Sequence, residues 1–131
     1  MSLKLSIVTP VKKVVTDLEI ESVTIPAYKG EVTILDQHAS LITTLESGVL
    51  SYKAKGSAEE QKISVSWGYC EILGEEISVL AETAETKSEV DTERAKLAIK
   101  KSIEAMVQTE DVEVIEKYNR KLKRAEARLN L

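Results

Sequence analysis

The hydrophobic period of this chain changes once, near residue 86, and that change limits its fold more than any other feature. Before it, apolar residues recur at alternate positions in short runs. Leu3, Leu5 and Ile7 alternate with Lys4 and Ser6, and Ile63, Val65 and Trp67 alternate with Ser64 and Ser66. Leu18, Ile20, Val23 and Ile25 form a longer run through acids at 17, 19 and 21, which Pro26 is expected to end. Alternation sends successive side chains to opposite faces, so each run reads as a strand with one face inward. Shorter runs follow at 14–15, 32–35, 49–52, 69–73 and 77–81, with hairpin breaks at the polar segment 53–61 and at Gly74-Glu75-Glu76. Many short strands with such turns predict an antiparallel sandwich or barrel.

Beyond residue 86 the segment TKSEVDTERAKLAIKKSIEAMVQ has neither glycine nor proline and is rich in Ala, Lys and Glu, which favour helix. Ser88 or Asp91 can cap its start, and acids at 89, 91 and 93 suit the positive end of a helix dipole. Ala95, Ile99 and Ile103, with Ala98 and Met106, form an apolar stripe. Gln108-Thr109-Glu110-Asp111 reads as a turn, with Thr109 or Asp111 as the next cap. Ile115, Tyr118, Leu122, Ala125 and Leu129 then follow a 3-4-3-4 spacing, a narrow seam suited to one neighbouring helix. The class predicted is α+β: an N-terminal antiparallel β-sandwich over residues 1–85, followed by a C-terminal antiparallel two-helix hairpin over residues 86–131. Helices this short are marginal alone in water, so the hairpin must rest on the sandwich, on itself or on a partner.

Charge divides the chain at nearly the same point. Residues 1–90 carry eight lysines against fourteen acids and no arginine, whereas residues 112–131 are net basic. Such a break suggests two parts with different work. The 131 residues suffice for one core with an appendage. Phenylalanine is absent, so the core must be built from Val, Ile, Leu and Ala. No apolar run approaches the roughly 20 residues that span a bilayer. The opening MSLKLSIVTP has no long apolar segment of the signal-peptide kind. The single cysteine, Cys70, allows no internal disulfide and suits a reducing compartment.

Few residues suggest chemistry. The stretch from Gly30 to Gly48 holds the only histidine, His38, and reads as a shaped docking loop on a β scaffold. His38 with Asp36 has no nucleophile nearby, which favours a surface or turn histidine over acid–base catalysis. Cys70 lies in a strand pattern and reads as a small core residue. There is no pair of His or Cys residues to hold zinc, and the five glycines are scattered and form no phosphate loop. The second helix is different. Lys117, Lys121, Arg124 and Arg128 recur at helical spacing, opposite much of the apolar seam. The plain reading is a solvated face paired with Glu113, Glu116 and Glu126. An acidic protein partner is one alternative. Another is a phosphate ligand held between the helices, because Arg94 and Lys101 lie seven apart on one face of the first helix. Nucleic-acid binding is weaker, since the chain is acidic overall and this helix lacks aromatics outside its seam.

At three places the residues resemble a known family. The first is Glu21–Pro26 followed by Gly30-Glu31, Ile34-Leu35, His38-Ala39, Leu41-Ile42-Thr43 and Gly48; the second is Ile77–Glu85; the third is Val90-Asp91-Thr92-Glu93-Arg94-Ala95, with Arg124–Leu129 fitting the family's ending. In this order and separation they resemble the ε subunit of the F-type ATP synthases of bacteria and chloroplasts, called δ in mitochondria. Thr33, Asp36, Ser40 and Trp67 depart from its usual glycine and proline positions.

The resemblance implies a non-catalytic rotor component in the central stalk. Its partners would be the γ subunit and the ring of c subunits, and it would couple proton-driven rotation to ATP synthesis. It would lie as a peripheral protein on the cytoplasmic face of the inner or plasma membrane, or on the stromal face of thylakoids. Glu31 and His38 match positions that face the c ring. Glu85, Asp91, Arg94, Arg124 and Arg128 match positions that hold ATP in some bacterial members, and Lys101 stands where such members often have arginine. No cofactor is required, and ATP would be a regulatory ligand. The basic face of Lys117, Lys121, Arg124 and Arg128 suggests an inhibitory contact with the α/β catalytic head. The competing reading from another class is a free-standing nucleotide-sensing module.

Overall fold

The computed structural model describes residues 3–37 and 39–131, and in it the period change becomes a boundary between sheet and helix. The strands are β1 Leu3–Val8, β2 Lys13–Ala27, β3 Gly30–Leu35, β4 Leu41–Leu45, β5 Gly48–Ala54, β6 Glu60–Val65, β7 Gly68–Leu73, β8 Glu76–Ala81 and β9 Ala84–Glu85. A 3₁₀ turn at Lys87–Glu89 leads into α1, Thr92–Val107, and α2, Val112–Leu129.

The strands run β1-β8-β7-β4-β2-β5-β6-β9, with β3 also on β2 and β1 returning to pair with β2. The long β2 therefore serves both layers. Its first half pairs with β1, and its second half pairs with β3 and β5. The bend is made at Asp17, which takes a φ of 44°, with its amide donating to Ser6 Oγ opposite an irregular register in β1. Short polar residues such as aspartate tolerate this left-handed geometry better than branched ones. The strand also continues through Pro26 to Ala27, beyond its expected end, and the Pro26 carbonyl accepts the Glu46 amide.

Three further features differ from the sequence reading. Gly30–Gly48 is mostly strand, not a shaped loop: β3 and β4 occupy it, and β4 inserts between β7 and β2. Leu41, Thr43 and Leu45 turn inward while Ile42 and Thr44 turn out, a short alternation the expected loop had hidden. Next, β1 and β8 pair in parallel, the exception in an otherwise antiparallel sheet. Finally, Ser64 and Ser66 are buried although alternation put them on the polar face. Ser64 lies on the side of β6 where α2 packs, and Ser66 Oγ accepts bonds from the Thr83 amide and hydroxyl.

The core lies between the layers and is made of Leu3, Leu5, Ile7, Ile20, Val23, Ile25, Ile34, Leu50, Val65, Ile72, Ile77 and Val79, all essentially inaccessible to solvent. Each such side chain contributes about 1.5–3 kcal/mol of burial.

The arm is built differently. Asp91 caps α1 by accepting the Arg94 amide, and Asp111 caps α2 by accepting the Glu113 amide. The helices pack on one another, and α2 rests on β5 and β6. Their buried residues are small: Ala95, Ser102, Ala125 and Ala127. Ile103, expected in the stripe, is 48 % exposed. The contact line runs from Ala95 through Ile99 to Ser102 and Met106, and Ile103 stands about 70° off it.

Candidate functional site

The two helices and the end of the sandwich enclose an open cleft of about 760 Å³. That is within the roughly 300–1,000 Å³ of small-molecule sites. Arg94 and Lys101 enter from α1, two turns apart. Lys121, Arg124 and Arg128 enter from α2, with Tyr118 beside them. Glu85 closes one side from the end of β9, Glu89 from the 3₁₀ turn, and Asp91 from the α1 cap. The six residues that the resemblance set at positions holding ATP in some bacterial members, Glu85, Asp91, Arg94, Arg124 and Arg128 with Lys101 in place of an arginine, thus line one cleft.

The carboxylates there are already engaged. Glu85 Oε1 accepts from Arg128 Nε at 3.0 Å and from Nη2 at 2.5 Å, with both side chains three-quarters buried. Glu89 accepts from Lys12 Nζ, which ties the 3₁₀ turn to the loop between β1 and β2. The Lys12 bond, with help from Thr86, holds the Glu89 carboxyl below the usual carboxylate range. Asp91 is occupied with the Arg94 amide. On the cationic side, the Arg124 guanidinium lies 4.9 Å from the Trp67 ring centre, and Lys121 Nζ lies 5.0 Å from that of Tyr118. Among the described residues, Arg94, Lys101, Lys121 and Arg124 enter no ion pair. A cleft with four such cations, at the amino end of α1, is suited to a polyanion.

Two of the four basic groups singled out on α2 depart from the solvated face that spacing suggested, whereas Lys117 and Lys121 stay exposed. Arg124 and Arg128 lean onto the sandwich because Trp67 and Glu85 await them there. Lys117 and Lys121 flank Tyr118, at 5.9 and 5.0 Å from its ring centre. Glu113, Glu116 and Glu126 form no ion pair with any of these groups among the described residues. Sequence reasoning missed Glu89 and Trp67. Thr86 and Glu89 form a capping box that the T-x-x-E spacing could have disclosed. Nothing local ties Trp67 to Arg124, which lies far along the chain.

The two c-ring candidates fare differently. Glu31 is exposed near the start of β3, opposite Pro26, beside a groove that also includes Tyr28, Glu46, Lys123 and Glu126. His38 lies outside the described residues. Just before it, Asp36 Oδ1 accepts the Gln37 amide in a turn where Gln37 takes a φ of 65°. Cys70 is fully buried, and burial pushes its thiol up to about 11, so it is protonated and unreactive at neutral pH.

A β-sandwich carrying a folded helical arm, with a cation-lined cleft at their junction, defines a scaffold-and-arm protein. The family model for the ATP synthase delta/epsilon chain β-sandwich domain matches residues 2–87. The chain belongs to the ATP synthase delta/epsilon family, and its part in that enzyme is non-catalytic. A relative in Bdellovibrio bacteriovorus, an ATP synthase epsilon chain, is 42 % identical over 85 % of this chain and 82 % of its own length. The epsilon chain of Trichlorobacter lovleyi is 38 % identical over 98 % of this chain and 92 % of its own. The fold also matches a chain in the mitochondrial ATP synthase of Euglena gracilis (OSCP/F1/c-ring), with a TM-score of 0.85 at 18 % identity, covering 98 % of this chain and 79 % of that one.

Proposed function

We propose that this chain works in the central stalk of an F-type ATP synthase, coupling rotation of the c ring to ATP synthesis, and that its helical arm responds to ATP. The γ subunit and the c ring are the partners this reading requires. The solved assembly that the fold matches contains F1 and a c ring, and its relatives are epsilon chains by name. The outward face of β4, β7 and β8 suits a protein neighbour, since Ile42, Tyr69 and Leu80 are all at least half exposed there. Glu31 and His38 are the residues assigned to the c ring. No helix among the described residues is long and apolar enough to cross a membrane, so attachment would be peripheral, through the other subunits. The cytoplasmic or stromal face is the side assigned.

The observation that supports ATP as the arm's ligand is the cationic cleft. Arg94 and Lys101 on one helix and Lys121 and Arg124 on the other would share the phosphates, so the ligand would draw the helices together and keep the arm folded. Lys101 would act as a point charge, without the two-pronged donor of arginine. The folded arm also occupies the groups assigned to inhibition. Arg124 sits over the Trp67 ring and Arg128 is paired with Glu85, so neither can reach the catalytic head unless the arm leaves the sandwich. Inhibition through Lys117, Lys121, Arg124 and Arg128 therefore requires the extended arm, and ATP would oppose it.

Isothermal titration of the full chain with MgATP tests the ligand; no heat at millimolar nucleotide overturns that part. Deleting residues 87–131 in the assembled enzyme should raise ATP hydrolysis and leave assembly largely intact. Unchanged hydrolysis would show that the arm does not inhibit. A tagged chain should co-purify with γ. Nucleotide binding without any stalk partner would favour the free-standing module instead.

A further inference from the structure

We infer that Trp67 is the positioning residue of the arm: its ring face seats Arg124 and thereby fixes, from the sandwich, a guanidinium that serves the cleft. The ligand half of this inference rests on the ATP reading above; the clasp itself does not.

The Trp67 backbone is pinned on both sides. Trp67 joins β6 to β7, and its carbonyl accepts the Glu82 amide at 2.9 Å. The preceding Ser66 amide donates to the Thr83 carbonyl at 3.0 Å, and Ser66 Oγ accepts from the Thr83 amide at 2.9 Å and from its hydroxyl at 2.8 Å. The following Gly68 lies so close to β8 that a Cβ there would sit 1.8 Å from the Leu80 carbonyl oxygen. The ring is thus carried by a backbone with little freedom, and it is half-buried beneath α2 beside a small recess lined by Glu113, Glu116, Lys117 and Arg120.

The geometry separates the work of the two arginines. Arg128 spends its Nε and Nη2 donors on Glu85, in the plane of the guanidinium. Arg124 meets Trp67 through the ring face. A cation–π contact is electrostatic and spends none of the guanidinium's N–H donors on a hydrogen-bond acceptor, so Arg124 keeps donors to offer an anion. Arg124 lines the cleft and Trp67 does not. Trp67 therefore acts on a ligand through the neighbouring cations, Arg124 first among them, and a phosphate in the cleft is expected to add to the clasp without displacing it. Removing the ring face loosens the docked helix and leaves Arg124 to be ordered when the ligand arrives.

Trp67 is the only tryptophan of the chain, so its emission reads the clasp directly. In the full-length chain without nucleotide, Arg124→Ala should change Trp67 emission and speed amide exchange across α2. Trp67→Leu should speed that exchange about three- to ten-fold and weaken MgATP by a similar factor, the range of a partly desolvated cation–π contact. Trp67→Phe keeps an aromatic face and should restore most of both; a purely space-filling role would give no advantage to Phe over Leu. Wild-type exchange and affinity in Trp67→Leu, or Phe no better than Leu, overturns the inference. If Trp67→Leu fails to fold, the Arg124→Ala emission and exchange decide. If the wild-type chain binds no MgATP, the ligand reading falls, and the clasp stands or falls on emission and exchange alone.

Discussion

The sandwich and the arm bury different things. The sandwich interior is led by twelve fully enclosed Leu, Ile and Val side chains contributed by strands distant in sequence. Among the described residues the arm buries three alanines and a serine, and where α2 rests on β5 and β6 its docking is supplemented by polar contacts: Glu85 with Arg128, Trp67 with Arg124, and Lys12 with Glu89. Apolar burial scales with area and is insensitive to pH or ligand, whereas charge pairs and stacked cations respond to both. The difference teaches that a chain can make one part permanent and another conditional by choosing what it buries. The proposed function would use both, with a body that stays docked and an arm that leaves.

The largest effect should come from the permanent half. Leu50→Ala opens a cavity in the core and should cost about 2–5 kcal/mol in urea unfolding followed by strand signals. If that loss is small, the sandwich is not the rigid partner described here. Ala125→Leu attacks the conditional half by overpacking the helix seam, with an expected cost of about 1–3 kcal/mol. Amide exchange should show it confined to α1 and α2, with core strands protected as before. Spread of the effect into β5 and β6 would show that the two regions unfold as one unit. Arg128→Ala removes the Glu85 pair. Partial exposure of both side chains limits the expected cost to about 1 kcal/mol, again read from exchange in α2.

Much of this division was legible in the sequence because it is local. Period-two runs marked most strands, the glycine- and proline-free tract marked the first helix and the 3-4-3-4 seam the second, and Asp91 and Asp111 were each one of two cap candidates. The alternation of β4 was obscured by Ile42, an apolar residue facing outward, 70 % exposed. The parallel pairing of β1 with β8 and the burial of Ser64 and Ser66 depend on which distant element arrives next door, and no window of sequence contains that. The cleft was half legible. Arg94 and Lys101 share a helix face by spacing alone, and the basic residues of α2 by theirs. That the two sets converge follows from the register of the hairpin. That Arg124 and Arg128 turn to the sandwich follows from Trp67 and Glu85, and neither contact has a local signature.

The smallest expected effect concerns the third clasp, and here pH separates the two regions. Glu89 in the folded chain titrates below its ordinary range, chiefly because Lys12 donates to it. A carboxylate lowered by folding contributes stability above its unfolded value and loses it as pH falls through the folded one. The Lys12–Glu89 contact should thus hold at neutral pH and open in acid, beginning at the ordinary carboxylate range. Both side chains are substantially exposed, so solvent screens the pair and the change should stay below about threefold in exchange rate. It should appear at the 3₁₀ turn and the first turn of α1, after correction for intrinsic exchange, and not in the core strands. Glu89→Gln should show the weaker protection already at neutral pH and no further loss attributable to this site on acidification. Equal acid sensitivity in the Gln variant would assign the effect to another carboxylate, and equal sensitivity in the core strands would erase the distinction between permanent body and conditional arm.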